Sequence, residues 1–410
     1  MERIKTLFKR RVTFTYILFF LLVLPSFSEE EKSKWITKFG FQQIVLNNVF
    51  QYYVSKPDKV SSAFFDLSYR NSDELEFYYN GGLNYFAENT PLTNHNHIIG
   101  GSYSKGISEK SFLNISSDVK FSSFREDFKQ FSYFQLLGSG ELNYSFNETT
   151  LGKIYYLLRY RNYNDDFYNY FENYFSFQLI KSLRTKTALR IESGFGVKRY
   201  LGDLEQDFTT DYYQQSYYSG MGAGMGGMGQ GRHSTQWRQQ EHMGMRRYYV
   251  EGRNSITQFL LSGRVSQSIL DNLGVFIQYS GKFNLTQGGR YSDYLNYYLL
   301  ENPFYDEYTF EGNQIMAGFK LILPKGFLFQ GEGQYSRRNF DGVPVLDLEG
   351  NLISADKFRK DDYSYFSLSV EKTFRFLRVM GTFISLRNNS NDLFFKYDDN
   401  IFSIGIASNF

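Results

Sequence analysis

The sequence predicts an all-β fold, namely a transmembrane, antiparallel, up-and-down β-barrel of about 16 strands, within a range of roughly 14–18. Three features predict it: long segments in which apolar and polar residues alternate, a regular succession of short and long connections, and an unusual composition. The 410 residues include 43 Phe and 35 Tyr, yet the mean hydropathy is −0.44. A barrel with one face in lipid and the other in water needs many large rings and many polar residues at once.

Composition also excludes several classes of protein. The chain has no cysteine, which excludes a disulfide-stapled scaffold and a thiolate metal site. Its 45 Lys and Arg residues nearly balance its 43 Asp and Glu residues. A nucleic-acid-binding protein needs a concentrated cationic face, so we expect no nucleic-acid partner.

The first 28 residues have the pattern of a cleaved signal peptide. Basic residues such as Arg10 and Arg11 precede the apolar run Val12–Leu24, and Ser26 and Ser28 supply the small residues of a cleavage site. A transmembrane anchor is the alternative, but the run is shorter than the roughly 20 residues that span a bilayer. We therefore expect 1–28 to be removed and 29–410 to form the barrel.

Period-two alternation predicts the strands of the mature chain. In Leu151–Arg161, the residues Ile154, Tyr156 and Leu158 lie opposite Lys153 and Arg159. Such segments are about 9–14 residues long, which suits a tilted crossing of a bilayer better than the shorter strands of a soluble β-sandwich.

Connection lengths predict which end of the barrel faces outward. Short turns such as Pro324–Gly326 alternate with long polar segments, a pattern typical of barrels with tight periplasmic turns and long external loops. The segments expected to be external loops are Glu88–Asn96, Asn162–Tyr170, Tyr200–Asn254, Thr286–Asn313, Asn339–Asp362 and Asn388–Asn400.

The C-terminal segment carries a resemblance to known proteins. Phe402, Ile404, Ile406 and the terminal Phe410 share one face of the last predicted strand. This segment resembles the closing strand of Gram-negative outer-membrane β-barrels of the porin-like superfamily. The resemblance implies a position in the bacterial outer membrane, contact with outer-membrane lipid, and recognition by the barrel-assembly machinery.

Charged residues on the polar face of the strands are candidates for the pore lining. With about 16 strands, side chains no longer fill the lumen, so a water channel is expected. The alternation assigns these residues to the lumen: Arg159, Arg190, Glu192, Lys198, Arg264, Lys282, Lys320, Glu332, Arg338 and Glu371. Their basic excess favours anions. The alternative is that they are solvated residues without a selective role.

No residue pattern indicates an enzyme or a cofactor site. His95 and His97 would share one face of an extended segment and could hold a metal ion weakly, but two chance histidines in a surface loop are the favoured interpretation. The acidic pairs Asp165-Asp166, Asp361-Asp362 and Asp398-Asp399 are interpreted as solvated loop residues. No glycine-rich phosphate loop precedes a helix. We therefore assign no catalytic, cofactor-binding or metal-ligating residues.

The longest predicted loop, Tyr200–Asn254, has a low-complexity tip. Ser219–Arg247 is rich in glycine and methionine and contains His233 and His242, a set that suits Cu(I) or simply a flexible loop. The loop could fold into the lumen or project outward, where its tyrosines would form an adhesive surface.

The function expected from these features is passive diffusion of small hydrophilic solutes through a porin-like channel. Two alternatives remain open at this point: a surface-exposed binding or adhesin barrel that acts through its tyrosine-rich loops, and an outer-membrane enzyme. The sequence leaves the oligomeric state open.

Overall fold

The computed structural model describes residues 35–201, 255–286, 308–348 and 352–409. These residues form one closed antiparallel barrel of 16 strands in which each strand pairs with its neighbours in the chain and β1 pairs with β16. The strands are β1 (Trp35–Leu46), β2 (Asp58–Arg70), β3 (Leu75–Phe86), β4 (Asn94–Ser108), β5 (Ser111–Phe124), β6 (Tyr133–Asn147), β7 (Thr150–Tyr163), β8 (Tyr170–Ser182), β9 (Thr187–Tyr200), β10 (Ser255–Leu270), β11 (Leu273–Asn284), β12 (Glu311–Leu323), β13 (Phe327–Leu346), β14 (Leu352–Phe374), β15 (Leu377–Ser390) and β16 (Tyr397–Asn409). The fold class predicted from the alternation is confirmed.

The connections fall into two sets, as their lengths predict. One end of the barrel carries short turns, such as Pro324–Gly326, where Lys325 and Gly326 have φ of 62° and 75°. A side chain at Gly326 would be strained in this left-handed conformation, which glycine adopts without cost. The other end carries the longer connections, including 47–57 and 125–132.

Two of the predicted external loops are shorter than expected, because strands extend into them. β13 extends to Leu346 and β14 begins at Leu352, so these two strands continue as a paired ribbon through most of 339–362. Likewise β15 reaches Ser390 and β16 begins at Tyr397. The sequence does not reveal the ribbon because a strand alternates apolar and polar residues only where its two faces meet different environments, and the ribbon lies beyond the barrel wall.

The outer surface is apolar. Exposed large side chains include Ile99 (57% exposed), Ile277 (54%) and Ile404 (68%), each on the outward side of its strand. Phe402 and Ile406 share that outward face with Ile404 on β16, as expected for the closing strand. Phe410 lies outside the described residues, as do 1–34 and 202–254, on which the predicted signal peptide and almost all of the longest loop fall.

Among the described residues, no helix is long and apolar enough to cross a membrane.

A buried cluster lies inside the barrel at the end with the longer connections. Loop 47–57 folds over inward-facing residues of the barrel, so that Val49 and Phe50 pack with Ile44, Leu46 and Val60. Tyr52 of this loop stacks on Phe394 with ring centroids 5.6 Å apart, which joins it to the connection between β15 and β16. Loop 47–57 and the connection between β15 and β16 therefore fill part of this end of the barrel.

Candidate functional site: the inner wall of the barrel

The strand pleat separates the candidate pore-lining charges from the apolar surface. On β7, Leu158 is 37% exposed on the outer side, and Arg159 lies on the opposite side against β8. The same alternation places the other candidates on the inward side of their strands. These are Arg190, Glu192 and Lys198 on β9, Arg264 on β10, Lys282 on β11, Lys320 on β12, Glu332 and Arg338 on β13, and Glu371 on β14.

One group of these charges belongs to a packed cluster of tyrosines. We call the buried residues Tyr133, Tyr163, Tyr170, Tyr200, Ile256 and Tyr308 the tyrosine cluster. Arg161 lies within it, with its guanidinium carbon 4.3 Å from the centre of the Tyr133 ring. Its Nε donates to Gln135 Oε1 at 2.9 Å, and one terminal nitrogen donates to the Tyr163 hydroxyl at 3.2 Å. Arg161 is thus held as a structural cation.

Arg159 and Lys198 are tied into the same cluster. Arg159 forms an ion pair of 3.1 Å with Glu172, and the Tyr308 hydroxyl donates to the other carboxylate oxygen at 3.2 Å. The Lys198 ammonium lies 3.9 Å from the centre of the Tyr170 ring, and its side chain is 6% exposed in total. Arg159 is therefore neutralised by Glu172, and Lys198 is covered by tyrosine rings.

Arg161 and Glu172 are residues that the sequence reasoning missed. Arg161 stands two residues after Arg159, on the same side of β7, so the strand period could have revealed it. Glu172 could not be paired with Arg159 from the sequence, because that contact depends on the register between β7 and β8.

A second group of charges lines an open cavity towards the short-turn end. The cavity has a volume of about 560 Å³, and its lining includes Arg264, Lys320 and Glu332. The Arg264 guanidinium carbon lies 3.7 Å from the centre of the Phe276 ring, and Nε donates to Ser266 Oγ at 3.2 Å. Within the described residues, neither Arg264 nor Lys320 forms an ion pair.

Arg190 stands beside this group on β9. One terminal nitrogen donates to Gln278 Oε1 at 3.0 Å, whereas its Nε is buried without a hydrogen-bond partner. Arg190, Arg264 and Lys320 thus lie together at this end of the wall, away from the tyrosine cluster.

Lys282 and Arg338 meet at a third place, around Phe310. The Lys282 ammonium and the Arg338 guanidinium carbon lie 5.0 and 5.2 Å from the centre of that ring. In the paired register, Gly312 stands between the two cations.

The opposite wall carries acidic residues that the sequence reasoning also missed. Asp66, Glu76, Asp118 and Glu141 lie on the inward side of β2, β3, β5 and β6. Glu141 pairs with Lys153 at 3.3 Å, and the Tyr78 hydroxyl donates to Asp118 at 3.4 Å. Around Asp66 both sides of β2 are apolar, so alternation alone did not indicate which side faces inward.

Two of the acidic pairs are not in loops, which corrects the prediction for them. Asp361 lies inside β14, is 2% exposed and pairs with Arg359, whereas Asp362 points outward to Arg337. Asp398 and Asp399 lie in β16, where Asp399 accepts a hydrogen bond of 2.9 Å from the Asn48 amide. Asp165 and Asp166 do lie at the end with the longer connections.

Two of the four histidines belong to the described barrel, and the other two lie outside the described residues. His95 and His97 lie at the start of β4 on its outward side, whereas His233 and His242 lie outside the described residues with the methionine-rich tip. Among the described residues, no group of three or more His, Asp or Glu side chains is placed to hold a metal ion.

The barrel is similar to several solved protein structures. OccAB1 of Acinetobacter baumannii is similar with a TM-score of 0.51 and 8% identity, covering 94% of this chain and 99% of that one. OccAB4 of the same organism has a TM-score of 0.49 and 10% identity, covering 93% and 99%. The outer membrane protein OprD from Pseudomonas aeruginosa has a TM-score of 0.45 and 11% identity, covering 93% and 96%.

No protein-family model matches the chain, and no curated protein matches it in sequence. At such low identity the likeness concerns the fold alone. The chain shares its barrel fold with OccAB1 over almost the whole length of both chains.

Proposed function

We propose that this protein is an outer-membrane channel through which small hydrophilic solutes diffuse passively, with a modest preference for anions. The observation that carries the proposal is the closed 16-stranded barrel with an apolar outer surface and a charged inner wall. A barrel of this size encloses more space than its own side chains fill. In this proposal residues 1–28 direct export, the outer surface contacts membrane lipid, and the closing strand is read by the barrel-assembly machinery.

The anion preference rests on the unpaired cations of the inner wall. Arg264 and Lys320 border an open cavity, and Arg190 lies nearby. Glu332 borders the same cavity, and acidic residues such as Asp66 and Asp118 occupy the other wall. Since both signs of charge are present, we expect anions to be favoured by a small factor and not selected absolutely.

Single-channel recording in a planar bilayer tests the channel. Purified, refolded protein should insert and give open, ohmic current steps. A heat-denatured sample of the same protein is the control, because it keeps the composition and loses the barrel. Many insertions without current would overturn the proposal.

The ribbon beyond the barrel favours a second candidate, a surface-exposed binding barrel. β13 and β14 continue past the last residues that pair with β12 and β15, and Ile353 and Phe358 are 49% and 41% exposed there. Exposed apolar residues on such a projection suit contact with another surface. The second candidate would be favoured if the inserted protein carried no single-channel current and bound to another surface through this ribbon.

A further inference from the structure

Two histidine rings meet on the outer wall of the barrel, near the end with the longer connections. His95 and His97 stand two residues apart on β4, so both point to the same side. Their ring centroids are 5.2 Å apart with the planes at 62°, and His95 Nδ1 lies 3.1 Å from His97 Nε2. His95 is exposed and is the second residue of β4, next to the connection that follows β3.

We propose that His95 and His97 form a two-ligand site for a borderline divalent cation such as Zn²⁺ or Cu²⁺. Imidazole nitrogens bind Zn²⁺ at about 2.0–2.1 Å. Two such nitrogens would be about 3.3 Å apart at a tetrahedral angle and about 2.9 Å apart at a right angle. The distance of 3.1 Å lies between these values. A metal ion can therefore replace the hydrogen bond between the rings with little movement of either side chain.

Tyr79 orients the second ligand. Its hydroxyl lies 2.8 Å from His97 Nδ1, the ring nitrogen that faces away from His95. A ligating histidine commonly donates its other N–H to an oxygen, which fixes the ring and its tautomer. With the proton on Nδ1 donated to the Tyr79 oxygen, the lone pair of His97 Nε2 is left for the metal.

Gly81 makes the contact between Tyr79 and His97 possible. It is paired with His97 across β3 and β4, and Tyr79 precedes it by two residues on the outward side of β3. A Cβ atom at Gly81 would lie 2.7 Å from the Tyr79 hydroxyl. The phenol therefore reaches His97 over a position that has no side chain, and the orientation is built into the sheet.

The site has two protein ligands, and we expect water to complete the coordination. Exposed Leu83 pairs with His95, and exposed Phe121 pairs with His97, so the histidines lie at the border of the apolar surface. A site of this kind binds more weakly than a four-ligand structural site. It is independent of the channel, because both rings lie outside the lumen.

Titration of the folded barrel in detergent with ZnCl₂ tests the site, with isothermal calorimetry as the measurement. His95→Ala and His97→Ala should each abolish the binding. The matched control is the double variant His233→Ala/His242→Ala, which removes the other two histidines of the chain and should bind as the native protein does. Heat-modifiable gel mobility shows whether each variant is folded.

Two further measurements separate ligation from a structural role. Tyr79→Phe keeps the ring and should weaken binding by about 10–100-fold, the usual effect of losing such a partner. With CuCl₂, electron paramagnetic resonance should show coupling to two imidazole nitrogens in the native protein. Binding that survives in His95→Ala and His97→Ala, binding lost only in the His233→Ala/His242→Ala control, or no binding by the native protein would each overturn the proposal.

Discussion

Arg359 and Asp361 form a two-point ion pair along β14, where the strand leaves the barrel wall and continues as the ribbon with β13. The Arg359 Nε donates to Asp361 Oδ1 at 3.0 Å, and a terminal nitrogen donates to Oδ2 at 2.5 Å. The guanidinium lies between the rings of Phe340 and Phe395, at 4.1 and 3.5 Å. The pair therefore joins the base of the ribbon to the connection between β15 and β16.

Replacing Asp361 should loosen this end of the barrel. In Asp361→Ala the buried Arg359 loses its counter-ion, and removing one partner of a buried pair costs about 3–5 kcal/mol. The free energy of unfolding in urea should fall accordingly, and amide exchange should rise in residues 352–361. Asp362→Ala is the matched control, since its partner Arg337 is 72% exposed and the change should be hard to measure. Equal effects of the two variants would contradict this role for Arg359.

The preference of the channel for anions over cations should depend on Lys320 more than on Lys198. Lys320 borders the open cavity, whereas Lys198 is covered by the tyrosine cluster. We expect Lys320→Glu to move the reversal potential in a KCl gradient towards cations, because it reverses a charge that permeating ions meet. Lys198→Gln should shift it less and should lower the stability of the barrel. A larger shift from Lys198→Gln would show that solute passes the tyrosine cluster instead.

Loop 47–57 should restrict the end of the lumen that it covers. Phe50 is 6% exposed and packs with Val49 and Leu46 over the inner wall. Phe50→Ala leaves a cavity and costs about 3–5 kcal/mol, so the loop should detach more often. Single-channel conductance and current noise should both rise. Val54→Ala in the same loop is the control, because Val54 is 40% exposed and its truncation should leave the current unchanged.

The same loop should become sensitive to alkaline pH through Tyr52. Burial raises the pKa of Tyr52 to about 12, so the docked loop keeps the phenol neutral where a free tyrosine has ionised. Since the detached loop releases its proton first, docking is unaffected below about pH 10 and weakens as the pH rises towards 12. Conductance should therefore stay constant up to about pH 10 and increase as the pH rises from about 10 to about 12. Tyr52→Phe cannot ionise, so this part of the increase should be missing from it.

The C-terminal residue should matter for assembly. Phe410→Asp removes one of the four apolar residues on which the resemblance to outer-membrane barrels rests. We expect less folded protein, measured as the fraction with heat-modifiable gel mobility. Phe410→Tyr keeps an aromatic ring and should assemble normally. An undiminished yield from Phe410→Asp would argue against recognition through this residue.

The sequence by itself predicted about 16 strands, the alternation of short and long connections, and the side of the strand on which Arg159 and Lys320 lie. These properties are local, because a strand with lipid on one side and water on the other must repeat every two residues. The ribbon of β13 and β14 was missed because that constraint does not apply to the part of a strand that extends beyond the barrel wall.

Only the tertiary structure decided which charged side chains form ion pairs and which histidine and tyrosine rings are in contact. Arg159 is neutralised by Glu172 because β7 and β8 pair in one register, and His97 meets Tyr79 because Gly81 leaves the space between them. Loop 47–57 covers the inner wall because closure of the barrel brings β1 beside β16, which lie at opposite ends of the sequence. Such contacts depend on register and closure, two properties of the whole sheet that no single strand encodes.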